Sequence, residues 1–138
     1  MKYWREFKKY KQAFKFIEEN KPKLIVEYGS GGSTYSLYKC LEELNYGGKL
    51  ITYEDNSEWY NKIIEDFPFL KDTVKLVEIE TIDSKKGYLR YSHNLEDIKE
   101  AELVILDGPD YKLFLTEDGG PSNVTTNLED IVNYLGKD

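Results

Sequence analysis

Apolar positions along the chain alternate between helical spacing and short continuous runs. Steps of three and four residues predict amphipathic helices in five places: residues 2–20, 33–45, 57–67, 95–100 and 127–135. Asn56 or Ser57 is expected to cap the third of these helices, and Asn94 the fourth. The last begins with Thr126-Asn127-Leu128-Glu129, which has the pattern of a capping box.

Short apolar runs between these helices predict four strands. They cover residues 24–26, 50–53, 74–76 and 103–106. Ile79 is a candidate extension of the third strand, and residues 113–115 are a candidate for a short fifth strand. Residues 81–93 are polar and predict an irregular connection, apart from the patch Tyr88-Leu89-Arg90-Tyr91. Because helices and strands alternate, we expect one α/β domain over 1–138: a Rossmann-like parallel sheet of at least four strands with helices on both faces.

Composition and charge narrow the function classes. The 138 residues include 19 basic and 26 acidic side chains, a net charge of −7, which argues against non-specific binding to nucleic acid. Cys40 is the only cysteine, so no internal disulfide can form. No apolar run approaches the ~20 residues that span a bilayer, and the amino terminus lacks a signal core. These features predict a soluble cytoplasmic protein without a membrane partner.

A glycine-rich turn follows the first predicted strand: Gly29, Ser30, Gly31, Gly32 and Ser33. Glycine allows both a sharp turn and the close approach of a ligand to the backbone. The turn does not match the dinucleotide fingerprint, because Thr34 stands at the place of its last glycine, and no Gly-Lys-Ser or Gly-Lys-Thr follows as in a P-loop. The alternative is a plain tight turn between strand and helix.

Two carboxylates stand at predicted strand ends near this turn. Glu27 precedes Gly29 by two residues, where it would repel a pyrophosphate but attract a cationic ligand. Its alternative role is to accept hydrogen bonds from the backbone at the strand end. Glu54 ends the second strand, 23 residues after Gly31, a spacing suited to binding ribose hydroxyls, and Asp55 is the neighbouring candidate.

Three runs together carry a resemblance: V-E-Y-G-S-G-G-S-T at 26–34, Y-E-D-N-S-E-W-Y at 53–60 and L-D-G-P at 106–109. In this order they resemble class I S-adenosylmethionine-dependent methyltransferases, and most of all the branch that contains the glucuronoxylan O-methyltransferases. The resemblance covers about residues 23–110. It implies a Rossmann-like fold, S-adenosylmethionine as the cofactor and O-directed methyl transfer to a small-molecule or saccharide-type acceptor.

The resemblance also implies roles for individual residues. Glu27 and residues 29–33 are expected to hold the methionine part of the cofactor, Glu54 the ribose, and Trp59 the adenine side. Near the adenine amine the candidates are Glu80 and Asp83. Asp107 is expected beside the transferring methyl group, as an acceptor-orienting residue or as a ligand of a divalent metal ion. Further catalytic candidates are Asp110 and His93, although a lone histidine is more often a cap or a surface residue. Tyr88 and Tyr91 line either an acceptor pocket or the core.

The chain departs from this family in length, since its members have seven strands. The far half of the sheet, which builds much of the acceptor pocket, is therefore predicted to be shortened. The alternative to an enzyme is a non-catalytic or partner-dependent cofactor-binding module. An uncovered sheet edge predicts a homo-oligomer or a partner protein. A nucleotide-binding oxidoreductase is disfavoured by Glu27 and Thr34.

Overall fold

The computed structural model describes residues 4–6, 8–83, 88–106 and 124–125, with side chains for all of these except 9, 81–83, 88–89 and 124–125. Three α-helices lie in the described part: α1 (Lys11–Asn20), α2 (Gly32–Leu44) and α3 (Ser57–Asp66). The strands are β1 (Leu24–Tyr28), β2 (Lys49–Glu54), β3 (Val74–Leu76), β4 (Ile79–Asp83), β5 (Tyr88–Tyr91), β6 (Ala101–Leu106) and β7 (Val124–Thr125). Short 3₁₀-helices cover Trp4–Glu6, Lys8–Tyr10, Pro68–Leu70 and Leu95–Ile98.

The main sheet has four parallel strands in the order β3-β2-β1-β6. Val26 pairs with Ile51 on one side and with Val104 on the other, so β1 is central, and all five of its residues are buried. The chain moves outward from β1 through β2 to β3 and then returns to the opposite side as β6. This confirms the predicted Rossmann-like α/β class. The strand order reverses between β1 and β6, where sheets of this type place their ligand sites.

Alternating residues of β1 face two separate cores. Ile25 packs with α1 and α2 in a cluster that includes Phe14, Ile17, Leu37 and Cys40. Val26 and Tyr28 face the other side, where Tyr53, Tyr91 and Ile98 complete a second cluster. The α-helices α1 and α2 therefore cover one face, and the segment around β5 with the 3₁₀-helix Leu95–Ile98 covers the other.

Several predicted elements differ from the structure, among them the helix predicted over 95–100, which is a 3₁₀-helix over Leu95–Ile98. Residues 81–93, apart from the patch at 88–91, were expected to be irregular, but β4 and β5 form an antiparallel pair in a second sheet of order β4-β5-β7. A cross-strand ion pair between Glu80 and Arg90 (2.7 Å) contributes to this pairing, which polarity along the chain could not reveal. Ile79 begins β4 instead of extending β3.

Helix α1 starts at Lys11, with two 3₁₀ turns where 2–20 had predicted one continuous helix. The predicted strand at 113–115 and the predicted helix at 127–135 lie outside the described residues. Within the described part of the chain, no helix combines the length and the apolar character needed to cross a membrane.

Candidate functional site

The candidate site lies at the edge of the main sheet where the parallel strands end. Gly29 follows β1, Asp55 follows β2 and Val77 follows β3. Asp107 follows β6 in the sequence but lies outside the described residues, as does Asp110. The topology therefore brings together the glycine turn and the acids that follow β2, as the sequence predicted.

The glycine turn is held in a defined conformation. Gly29 has φ 92°, a left-handed conformation that disfavours every residue with a Cβ, and its N–H donates to the Tyr53 carbonyl at 2.8 Å. Gly31 precedes α2 with φ 165°, which is ordinary extended backbone. Among the described residues, a Cβ placed on Gly31 would have Trp59 as its nearest neighbour, at 3.8 Å. Gly32 then begins α2, and in its first turn the Thr34 N–H donates to the Gly31 carbonyl at 3.1 Å, whereas the N–H groups of Gly32 and Ser33 come before the first regular helical carbonyl partner.

Glu27 lies behind the turn and is completely buried. Three hydroxyl groups donate to its carboxylate: Ser33 at 2.7 Å, Thr34 at 2.6 Å and Thr52 at 3.0 Å. Ser33 and Thr34 belong to the first turn of α2, and Thr52 to β2. The carboxylate therefore joins three elements, and its charge is compensated by hydrogen bonds inside the protein.

Thr34 explains why the dinucleotide fingerprint fails at its last position. Its side chain is fully buried, donates to Glu27 and accepts the N–H of Gly31 at 3.0 Å. A glycine at this position would leave the Glu27 carboxylate and the Gly31 N–H without that hydroxyl. In the sequence, Thr34 is a mismatch to the dinucleotide fingerprint and the last residue of the resembling run 26–34, with no role of its own predicted. The signal that could have identified its role is the set of hydroxyl residues facing a buried acid from α2 and β2.

Glu54, at the end of β2, is 5% exposed and binds the other side of the turn. One oxygen accepts both the N–H (3.0 Å) and the hydroxyl of Ser30, and the second accepts the N–H groups of Asp55 (2.9 Å) and Asn56 (3.0 Å). The indole N–H of Trp59 donates to the Ser30 carbonyl at 2.7 Å. Ser30 is thus bound from β2 and from α3 at the same time.

An open cleft of about 630 Å³ lies beyond the ends of β2 and β3, next to Asp55, whose N–H donates to Glu54. Its described lining residues are Asp55, Ser57, Leu76, Val77, Glu78 and Ile79. Two of these described residues carry carboxylates and none is basic, which disfavours a ligand with phosphate groups. A second cleft, of about 550 Å³, opens near Gly47, Lys49 and Asp72, at the amino ends of the strands, and its described lining includes none of the predicted site residues.

His93 is brought to the same edge of the sheet, next to β1 and β2. Its Nε2 lies 2.7 Å from the Tyr28 hydroxyl, and its ring stacks on Tyr53 with a centroid distance of 4.1 Å and an interplanar angle of 7°. Nδ1 lies 3.2 Å from the carbonyl oxygen of Asn94, which can only accept, so this contact requires a proton on Nδ1. Both ring nitrogens are therefore engaged within the protein.

The tyrosines around His93 belong to the core. Tyr91 is 1% exposed and packs against Tyr28 with ring centroids 5.1 Å apart, in agreement with the core interpretation of Tyr91. Burial, and more weakly the charge of Asp97, raises the pKa of Tyr53 to about 12. The side chain of Tyr88 lies outside the described residues.

Other predicted residues fall in different places. Glu80 lies on the β4–β5 surface, where hydrogen bonds from Arg90 and Ser92 lower its pKa. The carboxylate that lines the cleft from this part of the chain belongs to Glu78 instead. The side chain of Asp83 is outside the described part. Trp59 is 38% exposed beside Gly31. Over the described residues, no group of three or more His, Cys, Asp or Glu side chains could hold a metal ion, and the metal prediction for Asp107 falls outside them.

Comparisons with known proteins give no relative for this chain. No protein-family model, no curated protein and no solved structure matches it. Its function must therefore be argued from its own residues.

Proposed function

We propose that this chain is an S-adenosylmethionine-binding domain of the methyltransferase type, O-directed towards a small-molecule or saccharide-type acceptor. The observation that carries the proposal is the acidic character of the site. Glu54 binds the glycine turn through Ser30, and the residue that follows it, Asp55, lines an open cleft together with Glu78. An adenosyl ligand with a sulfonium and an ammonium group suits such an edge, whereas a nucleotide phosphate would be repelled.

The residues present fit the chemistry of this cofactor. The N–H groups of Gly32 and Ser33 at the start of α2 are suited to a carboxylate, because a helix amino terminus attracts anions. Glu54 is the candidate for ribose hydroxyls, and the cleft beyond β2 and β3 has room for a base. Trp59 closes the side of the turn at Gly31, where the absence of a Cβ leaves open space.

The part of Glu27 in this proposal is indirect. Its oxygens accept from Ser33, Thr34 and Thr52, and Thr34 in turn accepts from Gly31. Glu27 therefore acts as a positioning residue, which fixes the shape of the turn and the direction of the first N–H groups of α2. Direct contact between Glu27 and the methionine ammonium stays a prediction from the resemblance.

When bound, S-adenosylmethionine supplies an activated methyl group, and the chain's own residues must align the acceptor and remove its proton. Asp107 and Asp110, with a divalent metal ion as the alternative role of Asp107, remain the candidates for acceptor orientation. His93 is a weaker candidate for the base, because Tyr28 and Asn94 already engage its two nitrogens.

Isothermal titration calorimetry with S-adenosylmethionine and S-adenosylhomocysteine tests the proposal. We expect both ligands to bind the parent protein and Glu54→Ala to bind at least tenfold more weakly, since a hydrogen bond to a charged group contributes about 1.5–3 kcal/mol. Glu19→Ala, which removes an exposed carboxylate on α1, is the matched control and should bind like the parent. An absence of heat with both ligands at millimolar concentration would contradict the proposal.

A methyl-transfer assay distinguishes the enzyme from the alternative, a non-catalytic or partner-dependent binding module. Labelled S-adenosylmethionine is incubated with a panel of hydroxyl acceptors, with and without Mg²⁺ or Mn²⁺. Transfer that is lost in Asp107→Ala supports the enzyme. Binding in calorimetry without transfer to any acceptor supports the module.

A further inference from the structure

The carboxylate of Glu54 is saturated with hydrogen bonds from the protein. Four donors reach it: the N–H and hydroxyl of Ser30 on one oxygen, and the N–H groups of Asp55 and Asn56 on the other. A carboxylate has about four lone-pair sites for such bonds. A ligand hydroxyl can therefore reach Glu54 only if one of the present donors leaves.

Only one of these four donors can leave without moving the backbone. Three are N–H groups of the main chain, whereas the Ser30 hydroxyl is released by rotation about a single side-chain bond. Ser30 is half-buried, so its hydroxyl has space to turn. The main chain of Ser30 stays in place meanwhile, held by its own N–H on Glu54 and by the indole of Trp59 on its carbonyl.

We propose that the Ser30 hydroxyl is a placeholder on Glu54, which a hydroxyl group of the ligand replaces on binding. The inference rests on the proposed function, in which an adenosyl ligand reaches Glu54 through its ribose. Ser30 then competes with the ligand hydroxyl for the same carboxylate oxygen and so reduces the net gain in affinity from that hydroxyl. It satisfies the buried carboxylate while the site is empty of ligand, and only a ligand that carries its own hydroxyl donor can take its place without leaving that oxygen unsatisfied.

This competition predicts an effect opposite in sign to the loss of a binding residue. In Ser30→Ala the Glu54 oxygen lacks one donor before binding and regains one from the ribose. The free protein should be less stable, and the ligand should bind more tightly. A serine that contacted the ligand directly, or that only shaped the loop, would give weaker or unchanged binding when replaced.

The experiment measures S-adenosylhomocysteine binding by calorimetry and thermal unfolding without ligand. We expect Ser30→Ala to bind about fivefold more tightly than the parent and to unfold at a lower temperature. Ser92→Ala is the matched control, because the Ser92 hydroxyl donates to the surface carboxylate of Glu80 (3.1 Å), away from the glycine turn. Equal or weaker binding by Ser30→Ala would overturn the inference. Ser30→Gly, which also lacks the hydroxyl, replaces it if the alanine variant does not fold.

A second comparison uses adenosine and 2′,3′-dideoxyadenosine as probes. In the parent protein the affinities for the two probes should differ little, since the ribose hydroxyl only replaces the Ser30 hydroxyl on Glu54. In Ser30→Ala the ratio of the affinity for adenosine to that for 2′,3′-dideoxyadenosine should rise about fivefold. An unchanged preference would overturn the placeholder role even if adenosine binds. If no probe and neither cofactor form binds any variant, the proposed function itself fails, and this inference fails with it.

Discussion

The ends of β1 and β2 carry one glutamate each, and the two side chains differ in their burial and in their hydrogen-bond donors. Glu27 is completely buried and accepts hydrogen bonds from three side-chain hydroxyls. Glu54 is 5% exposed, accepts three backbone N–H groups and one hydroxyl, and stands beside an open cleft. Both carboxylates bind the glycine turn, one from behind through Thr34 and one from the front through Ser30.

The difference shows how a turn can be rigid and still face a ligand. Side-chain donors in the interior fix the first turn of α2, because they lose their partner completely if Glu27 is removed. Under the proposed function, the donors to Glu54 exchange with water or with a ligand, so removal of Glu54 leaves them less isolated. We therefore expect Glu27 to affect mainly folding and Glu54 mainly binding.

The largest expected effect comes from the interior acid. Glu27→Ala leaves the hydroxyls of Ser33, Thr34 and Thr52 without their buried acceptor, and we expect the free energy of unfolding to fall by about 3 kcal/mol or more. Urea denaturation measures this loss. Glu54→Ala should be destabilised less. Equal losses in the two variants, or a loss below about 1 kcal/mol for Glu27→Ala, would break the comparison.

The two glycines of the turn separate conformational strain from ligand approach. Gly29→Ala should destabilise the protein by about 1–2 kcal/mol, because its φ of 92° is unfavourable for alanine. Gly31→Ala should cost less than about 1 kcal/mol, since its φ is extended and a Cβ meets only Trp59 at 3.8 Å. Urea denaturation of both variants provides the measurement.

Gly31→Asp sharpens the same comparison by adding a larger, charged side chain in the open space. We expect near-parental stability and no calorimetric binding of S-adenosylmethionine, because the new side chain fills the approach to the backbone. Retention of parental binding by this variant would show that the ligand does not pass over Gly31.

A smaller effect is expected from Tyr53, the residue before Glu54. Its pKa is raised from 10.0 to about 12 by burial, so the folded state retains a proton that the unfolded chain loses near pH 10. The resulting stability is present below pH 10 and is lost as the pH rises towards 12. Tyr53→Phe should therefore lose less stability than the parent between pH 8 and pH 11, as measured by urea denaturation. A loss equal to that of the parent would assign the alkaline effect to other groups, such as Tyr46, whose pKa burial also raises to about 12.

Much of the fold could be predicted from local pattern. The apolar runs at 24–26, 50–53 and 103–106 mark parallel strands of the main sheet, and the helical spacing places α2 and α3 within one residue of their observed starts. The β4–β5 pair could not be predicted in this way. Its strands are polar and are stabilised by pairing with each other and by packing against the main sheet, which are contacts between distant residues.

The sequence by itself determined that glycines and acids stand at the ends of strands, because the period of apolar residues fixes where strands end and a left-handed turn requires glycine at position 29. Only the tertiary structure decided which acid is enclosed by side-chain hydroxyls and which one is bonded mainly to main-chain N–H groups, next to the cleft-lining Asp55. That choice depends on α2 packing over β1, which places Ser33 and Thr34 on Glu27, and on β2 ending where Ser30 and Trp59 meet beside Glu54.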